Sequence, residues 1–433
     1  MNIINWNTLD LASRQSSLAR PAMGQAPIRD VVADLIRRVR EGGDDALREL
    51  TLTFDGCSLD GLSVSVGALQ DAESRISAEL GAAIREAAGR IESFHAAGQS
   101  APISVETAPG LVCEARQVPI QRVGLYIPGG SAPLISTVLM LAIPARLAEC
   151  PDVVLCTPPD RSGEVHPALL YAAYYCGVRK VIKVGGAQAV AAMAYGTESV
   201  PACRKIFGPG NAYVTEAKRQ VSTDPMGAAQ DMPAGPSEVM VIADASADPE
   251  SVCWDLLSQA EHGPDSQSLV VSDSAALLDA VREQLPELTA SQPRASILEQ
   301  SLQNARLILV RNAQEALAIC NEYAPEHLIL NGATAEALAE HVVSAGSVFI
   351  GPWTPESLGD YSSGTNHVLP TYGHAHAYSG LSVADFQRRM TLQRATREGI
   401  RNAGPATMEL AAAEGLEAHR QAVACRLRRL EKP

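Results

Sequence analysis

From about residue 110 the chain keeps one rhythm, in which a short run of β-branched residues alternates with a segment of helical length. "DVVLCTPPD" is followed by "HPALLYAAYYCG", "KVIKVGG", "AQAVAAMAYG", "KIFGPGN" and "AYVTEAKRQV". The rhythm resumes with "EVMVIADA", "DPESVCWDLLSQAEHG", "QSLVVSD", "SAALLDAVREQL", "RLILVRN", "AQEALAICNEY", "HLILNG" and "SVFIG". Strands separated by helices cannot close as tight hairpins, so they pair in parallel with the helices packed on the sheet faces. The expected class is α/β, with two doubly wound, incompletely Rossmann-like domains and small helical N- and C-terminal extensions. The similar order of elements in the two stretches suggests an old duplication.

The 433 residues fit two to four globular parts at about 150 residues per domain. Before residue 110 the reading is mainly helical. "IRDVVADLIRRVREGG" sets Ile28, Val31, Val32, Leu35, Ile36 and Val39 on one face and stops at Gly42 and Gly43. After residue 351 the rhythm ends in a Gly/Pro-rich stretch, 351–380, too long for a mere connector. "LSVADFQRRMTLQRATREGI" and "MELAAAEGLEAHRQAVACRLRRLEK" then read as helices, a unit too small to bury a core alone and expected to dock on another domain or subunit.

Composition excludes several classes. The formal charge of −14 offers no general attraction for nucleic acid or anionic lipid, so phosphate must be met by local donors. The start "MNIINWNTLDLASRQ" lacks the basic and apolar regions of a secretory signal. The longest apolar run, "APLISTVLMLAIPA", is too short for a membrane span. Nine scattered cysteines without a C-x-x-C pair suggest neither a disulfide framework nor a zinc ribbon, so a reducing cytoplasm is expected.

Four polar clusters stand out. In "LLSQAEHGPDSQ" a helix begun by Asp248 and Pro249 turns Val252, Leu256 and Ala260 inward. It carries Gln259 and His262 on one face, one turn apart, at the end opened by Gly263 and Pro264. That spacing suits two metal ligands, although a lone His at a helix end more often satisfies a carbonyl. In "YAPEHLIL", Glu326 and His327 adjoin a strand and could serve two separate protons; the carboxyl ends of strands are where open α/β sheets place chemistry. The bland reading is a solvated Glu beside a strand-start His. In the long stretch Asp360 and His367 are taken as candidates, while His374 and His376 read as an exposed loop. In "AAAEGLEAHRQAV", Glu414 and His419 are five residues apart, about 140° around a helix, and share a site only if Gly415 ends the first segment. No complete G-x-G-x-x-G occurs, but "VGGAQAVAAMAYG" and "FGPGNAYVTEA" place glycines at strand-to-helix turns that suit pyrophosphate.

Eight motifs, "GLYIPGGSAPLISTVLMLAIPA", "VGGAQAVAAMAYGTESVP", "KIFGPGNAYVTEAKRQV", "DMPAGPSEVMVIAD", "LLSQAEHGPDSQ", "YAPEHLIL", "GDYSSGTNHVLPT" and "GLSVADFQ", in that order, resemble the histidinol dehydrogenase family over nearly the whole chain. The resemblance implies oxidation of L-histidinol to L-histidine, the last steps of histidine biosynthesis, with two NAD+ and a bound L-histidinaldehyde. It implies one Zn2+ per subunit held by Gln259, His262, Asp360 and His419, the last given across a homodimer, so that active sites are shared. Glu326 and His327 match the acid/base pair. Ser237, His367 and Glu414 match substrate contacts, with Gln259, His262, His327, Asp360 and His419 also touching substrate; Tyr126, Gln188 and Asn211 match NAD contacts. The expected division is an N-terminal extension over 1–25, a large α/β domain from 26–125 and 237–378 carrying most of the site, a second domain over 126–236, and a C-terminal helical unit over 379–433 docked on the partner.

The chemistry is consistent with this. His327, an imidazole that titrates near neutrality, suits removal of the hydroxyl proton as hydride leaves. The aldehyde needs a nucleophile before it can release hydride. No cysteine is marked as a low-pKa thiol, so water activated by Glu326 is expected, with His327 taking a proton from the hydrate. A set of two His, one Asp and one neutral Gln favours gripping substrate nitrogen over making hydroxide. The alternatives are a dehydrogenase of a related amino alcohol, a zinc hydrolase with an open metal position, and a non-catalytic α/β binding protein.

Overall fold

The structure, a computed structural model, describes residues 2–20, 25–129, 133–233 and 235–431, of which 25–27 by backbone alone. The end of the expected N-terminal extension (21–24), residues 130–132 of the "YIPGGSAPL" motif and Ala234 of "DMPAGPSEV" lie outside the described residues.

The strands in chain order are β1 (Ile3–Asn5), β2 (Ile103–Ala108), β3 (Leu111–Pro119), β4 (Arg122–Tyr126), β5 (Asp152–Thr157), β6 (Lys180–Lys183), β7 (Lys205–Phe207), β8 (Ala229–Gln230), β9 (Glu238–Ala243), β10 (Gln267–Ser272), β11 (Arg306–Leu309), β12 (His327–Asn331), β13 (Ser347–Ile350) and β14 (Gln387–Ala395). They form a six-stranded parallel sheet, β1-β11-β10-β9-β12-β13, and a five-stranded parallel sheet, β6-β5-β4-β7-β8. In both, the first strand of the α/β series lies at the centre, with the second and third on one side and the fourth and fifth on the other. This is a doubly wound order with its switch point between β4 and β7 in one sheet and between β9 and β12 in the other. The shared order fits the suggested duplication.

Burial follows the expected logic of parallel sheets. Both β9 and β10 are buried at every position, as strands covered on both faces must be. The apolar run is the helix Ile135–Leu147, with buried residues all around its axis, and it is a core element. Among the described residues no helix is long and apolar enough to cross a membrane. All nine cysteines are free thiols, six of them buried.

Three sequence expectations need correction. The helices of 26–97, expected to belong with 237–378, bury their apolar faces mainly on the five-stranded sheet. Val32, Val39, Leu47 and Leu50 pack with Val154, Ile182, Val190 and Ala217, and Ile84 and Ile91 pack with Leu125, Leu139 and Leu170. The N-terminal helices thus cover the five-stranded sheet, where their apolar stripes bury more surface than exposure would allow. The N-terminal extension is not purely helical either, because β1 extends the six-stranded sheet beside β11. Finally, "QRRMTLQRA" is a strand, β14, paired antiparallel with all of β3 in a third sheet, β14-β3-β2. Its polar composition reads helical locally, and nine cross-strand partners override that preference. Helices Arg397–Ala413 and Glu417–Leu430 follow as a hairpin.

Gly43, non-helical at φ 51° and ψ −135°, divides the stretch Gln25–Asp55 into two helices that meet at a kink, the stop expected at Gly42 and Gly43. The kink is pinned from both sides. The buried Asp44 carboxylate accepts from Thr197 Oγ1 at 2.7 Å, Ser199 N at 3.1 Å and Ser199 Oγ at 2.5 Å, while its own N–H donates to Glu198 Oε2 at 2.8 Å. Burial works against the charge, but these donors outweigh it and hold Asp44 below its ordinary value of 3.8. Asp44→Ala is expected to cost on the order of 3 kcal/mol at pH 7. Because the folded state holds this proton less tightly than the unfolded one, the wild-type advantage is complete above about pH 4 and fades as pH falls further. Chemical denaturation of both proteins between about pH 3 and 7 checks it; a pH-independent difference would contradict the assignment.

Candidate active site

Most of the candidate side chains collect at one edge of the six-stranded sheet. Helix Pro249–Ala260 starts as expected, with Asp248 accepting from Ser251 N at 3.0 Å, and ends beside the start of β9. Gln259 is fully buried there, and His262 sits past the helix end with Nδ1 3.3 Å from Ser237 Oγ. Glu326 and His327 open β12, next to β9. The edge is therefore the amino end of β9 and β12, not the carboxyl end that the general rule for open sheets led us to expect. The reason is direction: a helix returning antiparallel to its strands delivers its C-terminus to their amino ends, and the polar residues of this chain lie at that C-terminus.

One backbone residue arranges the pair. The N–H of Glu238 donates to Glu326 Oε2 at 2.8 Å, and its carbonyl lies 3.1 Å from His327 Nδ1. With Nδ1–H donating to that carbonyl, Nε2 is the nitrogen left to exchange a proton. Nε2 is buried, makes no hydrogen bond among the described residues, and faces Asp360 Oδ1 at 3.6 Å. Burial pushes Glu326 up to about 8 against the pull of His327, which makes it a far better proton acceptor than an exposed carboxylate. Burial works to lower His327, but Glu326, Glu356 and Asp360 outweigh it and raise it.

The 351–380 stretch contributes the rest through the short helix Glu356–Tyr361. Asp360 would be raised by burial, yet His327, His367 and His262 pull it down to about 2, so it is an anion ringed by imidazoles. His367 Nδ1 lies 2.9 Å from the carbonyl of Asp360, and its Nε2 lies 3.3 Å from Thr137 Oγ1 on the Ile135–Leu147 helix. That contact ties the cluster to the five-stranded half. Burial lowers both His262 and His367, which keeps the rings neutral and able to bind a metal or substrate proton.

Sequence reasoning missed Glu356. It is buried, its carboxylate is pushed well above the ordinary range by burial, and with His327 and Asp360 it forms a group whose ligand atoms all lie within 4.8 Å of one another. The signal was its spacing, since Glu356 and Asp360 are four residues apart on one helix. It was passed over because a Glu in a first helical turn usually faces water. Thr137, hidden in an apolar run, and Glu238, at a strand start, carried no signal. The donor set fits a cation. Gln259 lies with its amide oxygen against the Glu356 carboxylate. Turning the amide relieves that contact, its nitrogen then donating to Glu356 and its oxygen accepting from Glu238 N at 3.1 Å.

Not every expected residue is in this cluster. Glu414 and His419 are exposed on the C-terminal hairpin, where Gly415 (φ 72°) separates the two helices as the spacing argument required. Among the described residues the group of metal-type ligands does not include them. His374 and His376 also lie outside it; His376 is used locally, 3.2 Å from Ser344 Oγ and 3.2 Å from the Glu322 carbonyl.

Tyr126, Gln188 and Asn211 line a separate cavity of about 880 Å³ with Gly129, Thr157, Pro158 and Gly186. This cavity does lie beyond the carboxyl ends of its strands, β4 to β7. The amino ends of helices Gly186–Tyr195 and Ala212–Thr223 meet it. Gly186, at φ 64°, takes the left-handed turn and donates its N–H to Tyr126 Oη at 3.0 Å. Asn211 spends its Oδ1 on the N–H groups of Tyr213 and Val214, both at 3.1 Å, which leaves its amide NH2 for the cavity.

Residues 18–427 match the family model described as histidinol dehydrogenase. The chain is 57% identical over 428 residues to the histidinol dehydrogenase of Xanthomonas euvesicatoria pv. vesicatoria, covering 99% of both chains. It is 50% identical over 431 residues to that of Vibrio parahaemolyticus, again over 99% of both. Its structure superposes on the crystal structure of histidinol dehydrogenase from Elizabethkingia anophelis with a TM-score of 0.94, at 44% identity and over 99% of this chain and 98% of the other. On a match that runs nearly end to end and takes in the whole cluster, the chain belongs to the histidinol dehydrogenase family.

Proposed function

We propose that the protein oxidises L-histidinol to L-histidine in two steps through a bound aldehyde, using two NAD+ and one Zn2+ per subunit. The observation that carries the reading is the juxtaposition at the start of β9 and β12: a basic His327 Nε2 and a base-strength Glu326 carboxylate beside a cluster of neutral imidazoles and an ionised Asp360. The hydrolytic alternative is not favoured, since the family is one of dehydrogenases.

Gln259, His262 and Asp360 would hold the zinc with His419 of the partner subunit, and the ion would supply a grip on the imidazole and amine nitrogens of the substrate. His327 Nε2 takes the hydroxyl proton as the carbinol hydride leaves for the nicotinamide. Glu326 then removes a proton from the water that adds to the aldehyde. His327 takes the hydroxyl proton of the resulting hydrate as the second hydride departs. The first step releases one proton besides the hydride, which His327 passes to solvent before the second, and the second releases two, so histidinol, one water and two NAD+ give the histidine carboxylate, two NADH and three protons. Ser237, His367 and Glu414 contact substrate. Tyr126, Gln188 and Asn211 contact NAD+, whose pyrophosphate suits the two helix amino ends at the cavity.

NADH absorbance with zinc-loaded protein and limiting L-histidinol tests the reading. Two NADH per histidinol, lost on chelation and restored by zinc, is the expected result; one NADH would mean that oxidation stops at the aldehyde.

A shared site has its own test. His419→Asn and His262→Asn homodimers are each expected to be nearly inactive. Dissociating and reassociating an equal mixture should recover about a quarter of wild-type activity, because half the dimers are mixed and each has one site with both ligands intact. Failure to recover activity, or a fully active monomer, would contradict the shared site.

A further inference from the structure

We propose that Arg20, in the N-terminal segment, positions the Glu326–His327 pair by anchoring Glu238. The inference rests on the roles proposed for that pair.

Glu238 is the first residue of β9 and is fully buried. Its two backbone groups hold both members of the pair: N–H to Glu326 Oε2 at 2.8 Å, and carbonyl to His327 Nδ1 at 3.1 Å. Whatever sets the place of Glu238 therefore sets the carboxylate that receives the water proton and the tautomer of the imidazole. A carboxylate at a fully buried site demands a partner. The partner is Arg20, whose guanidinium forks onto it, Nε to Oε1 and Nη2 to Oε2 at 2.9 Å. The backbone of Tyr372 also hydrogen-bonds the same carboxylate.

Arg20 holds the other approach to the pair as well. Its Nη2 donates to the carbonyl of Tyr323 at 2.8 Å, and its guanidinium carbon lies 3.8 Å from the centroid of the Tyr323 ring. Tyr323 ends a helix, and the next residue, Ala324, takes the left-handed conformation at φ 51°. That conformation costs an alanine energy and persists only where neighbours hold it. Two residues later comes Glu326. One planar side chain thus pins both the strand residue that binds the pair and the turn that delivers it. Lysine cannot reproduce this, because a single ammonium has no fork.

Arg20 touches no reacting atom, so its effect should appear in turnover and in the state of His327 rather than in substrate affinity. The test compares wild type with Arg20→Met and with Arg20→Met/Glu238→Gln, the latter because it removes the buried charge together with its partner and so folds even where the single variant does not. Both are to be loaded with zinc and assayed with L-histidinol and NAD+. The expected result for the double variant is a kcat lowered by about tenfold or more, with KM for histidinol within about threefold and zinc content unchanged. In protein labelled with 15N-histidine, His327 should change from the single Nδ1–H form to a mixture of tautomers. A double variant with kcat within about twofold of wild type and an unchanged His327 spectrum overturns the proposal. If wild type reduces no NAD+ with histidinol while the His327 spectrum still changes in the variant, the functional reading fails and the positioning role stands.

Discussion

Replacing His262 by Asn is expected to release the zinc and lower turnover at least about 100-fold, the scale set by losing the grip that orients a reactant. His262 is one of two proposed ligands from the same stretch, just past the helix that ends beside the buried Gln259. Its ring meets Ser237 Oγ at 3.3 Å through Nδ1, which leaves Nε2 to face a cation. Asn places its amide short of the position of the distal imidazole nitrogen. The two remaining ligands of the chain, a neutral amide and one carboxylate, form a weak site for zinc. The helix should be unaffected, because the substituted position lies beyond Ala260, its last residue. Metal analysis after gel filtration, together with the NADH rate, checks this. A variant that keeps both its zinc and its full rate would remove His262 from the ligand set.

Glu326→Gln separates the two oxidations. The amide oxygen of Gln can still accept from the Glu238 N–H, so the side chain keeps its place and loses only its ability to take a proton. The alcohol step relies on His327 Nε2 and should slow by less than about tenfold, whereas the aldehyde step loses its base and should slow by about 100-fold. Rapid mixing that resolves the first and second NADH, repeated with L-histidinaldehyde as the starting substrate, measures both. Equal losses in the two steps would argue that Glu326 supports the site as a whole and has no specific part in activating water.

Much of the candidate cluster was legible because its residues lie in short local patterns. Gln259 and His262 are three residues apart, and although the helix ends at Ala260 the turn that follows keeps them close to the same strand starts. Glu326 and His327 are neighbours by sequence. Glu356 was illegible for a different reason: its four-residue spacing from Asp360 was visible, but nothing local says that the first turn of a short helix faces inward. The strand β14 was misread because pairing with β3, on which its state depends, joins residues more than two hundred and fifty positions apart.

The sequence by itself determined the alternation of strands and helices, the parallel pairing that alternation forces, and the residue types gathered at helix ends and strand starts, because each follows from interactions within a few residues. Only the tertiary structure decided which sheet the N-terminal helices cover, that the candidate cluster lies at the amino ends of β9 and β12, and that Arg20 forks onto Glu238, whose backbone meets Glu326 and His327. Those arrangements depend on which distant surfaces bury one another, and on buried charges that must find partners wherever the packed chain can supply them.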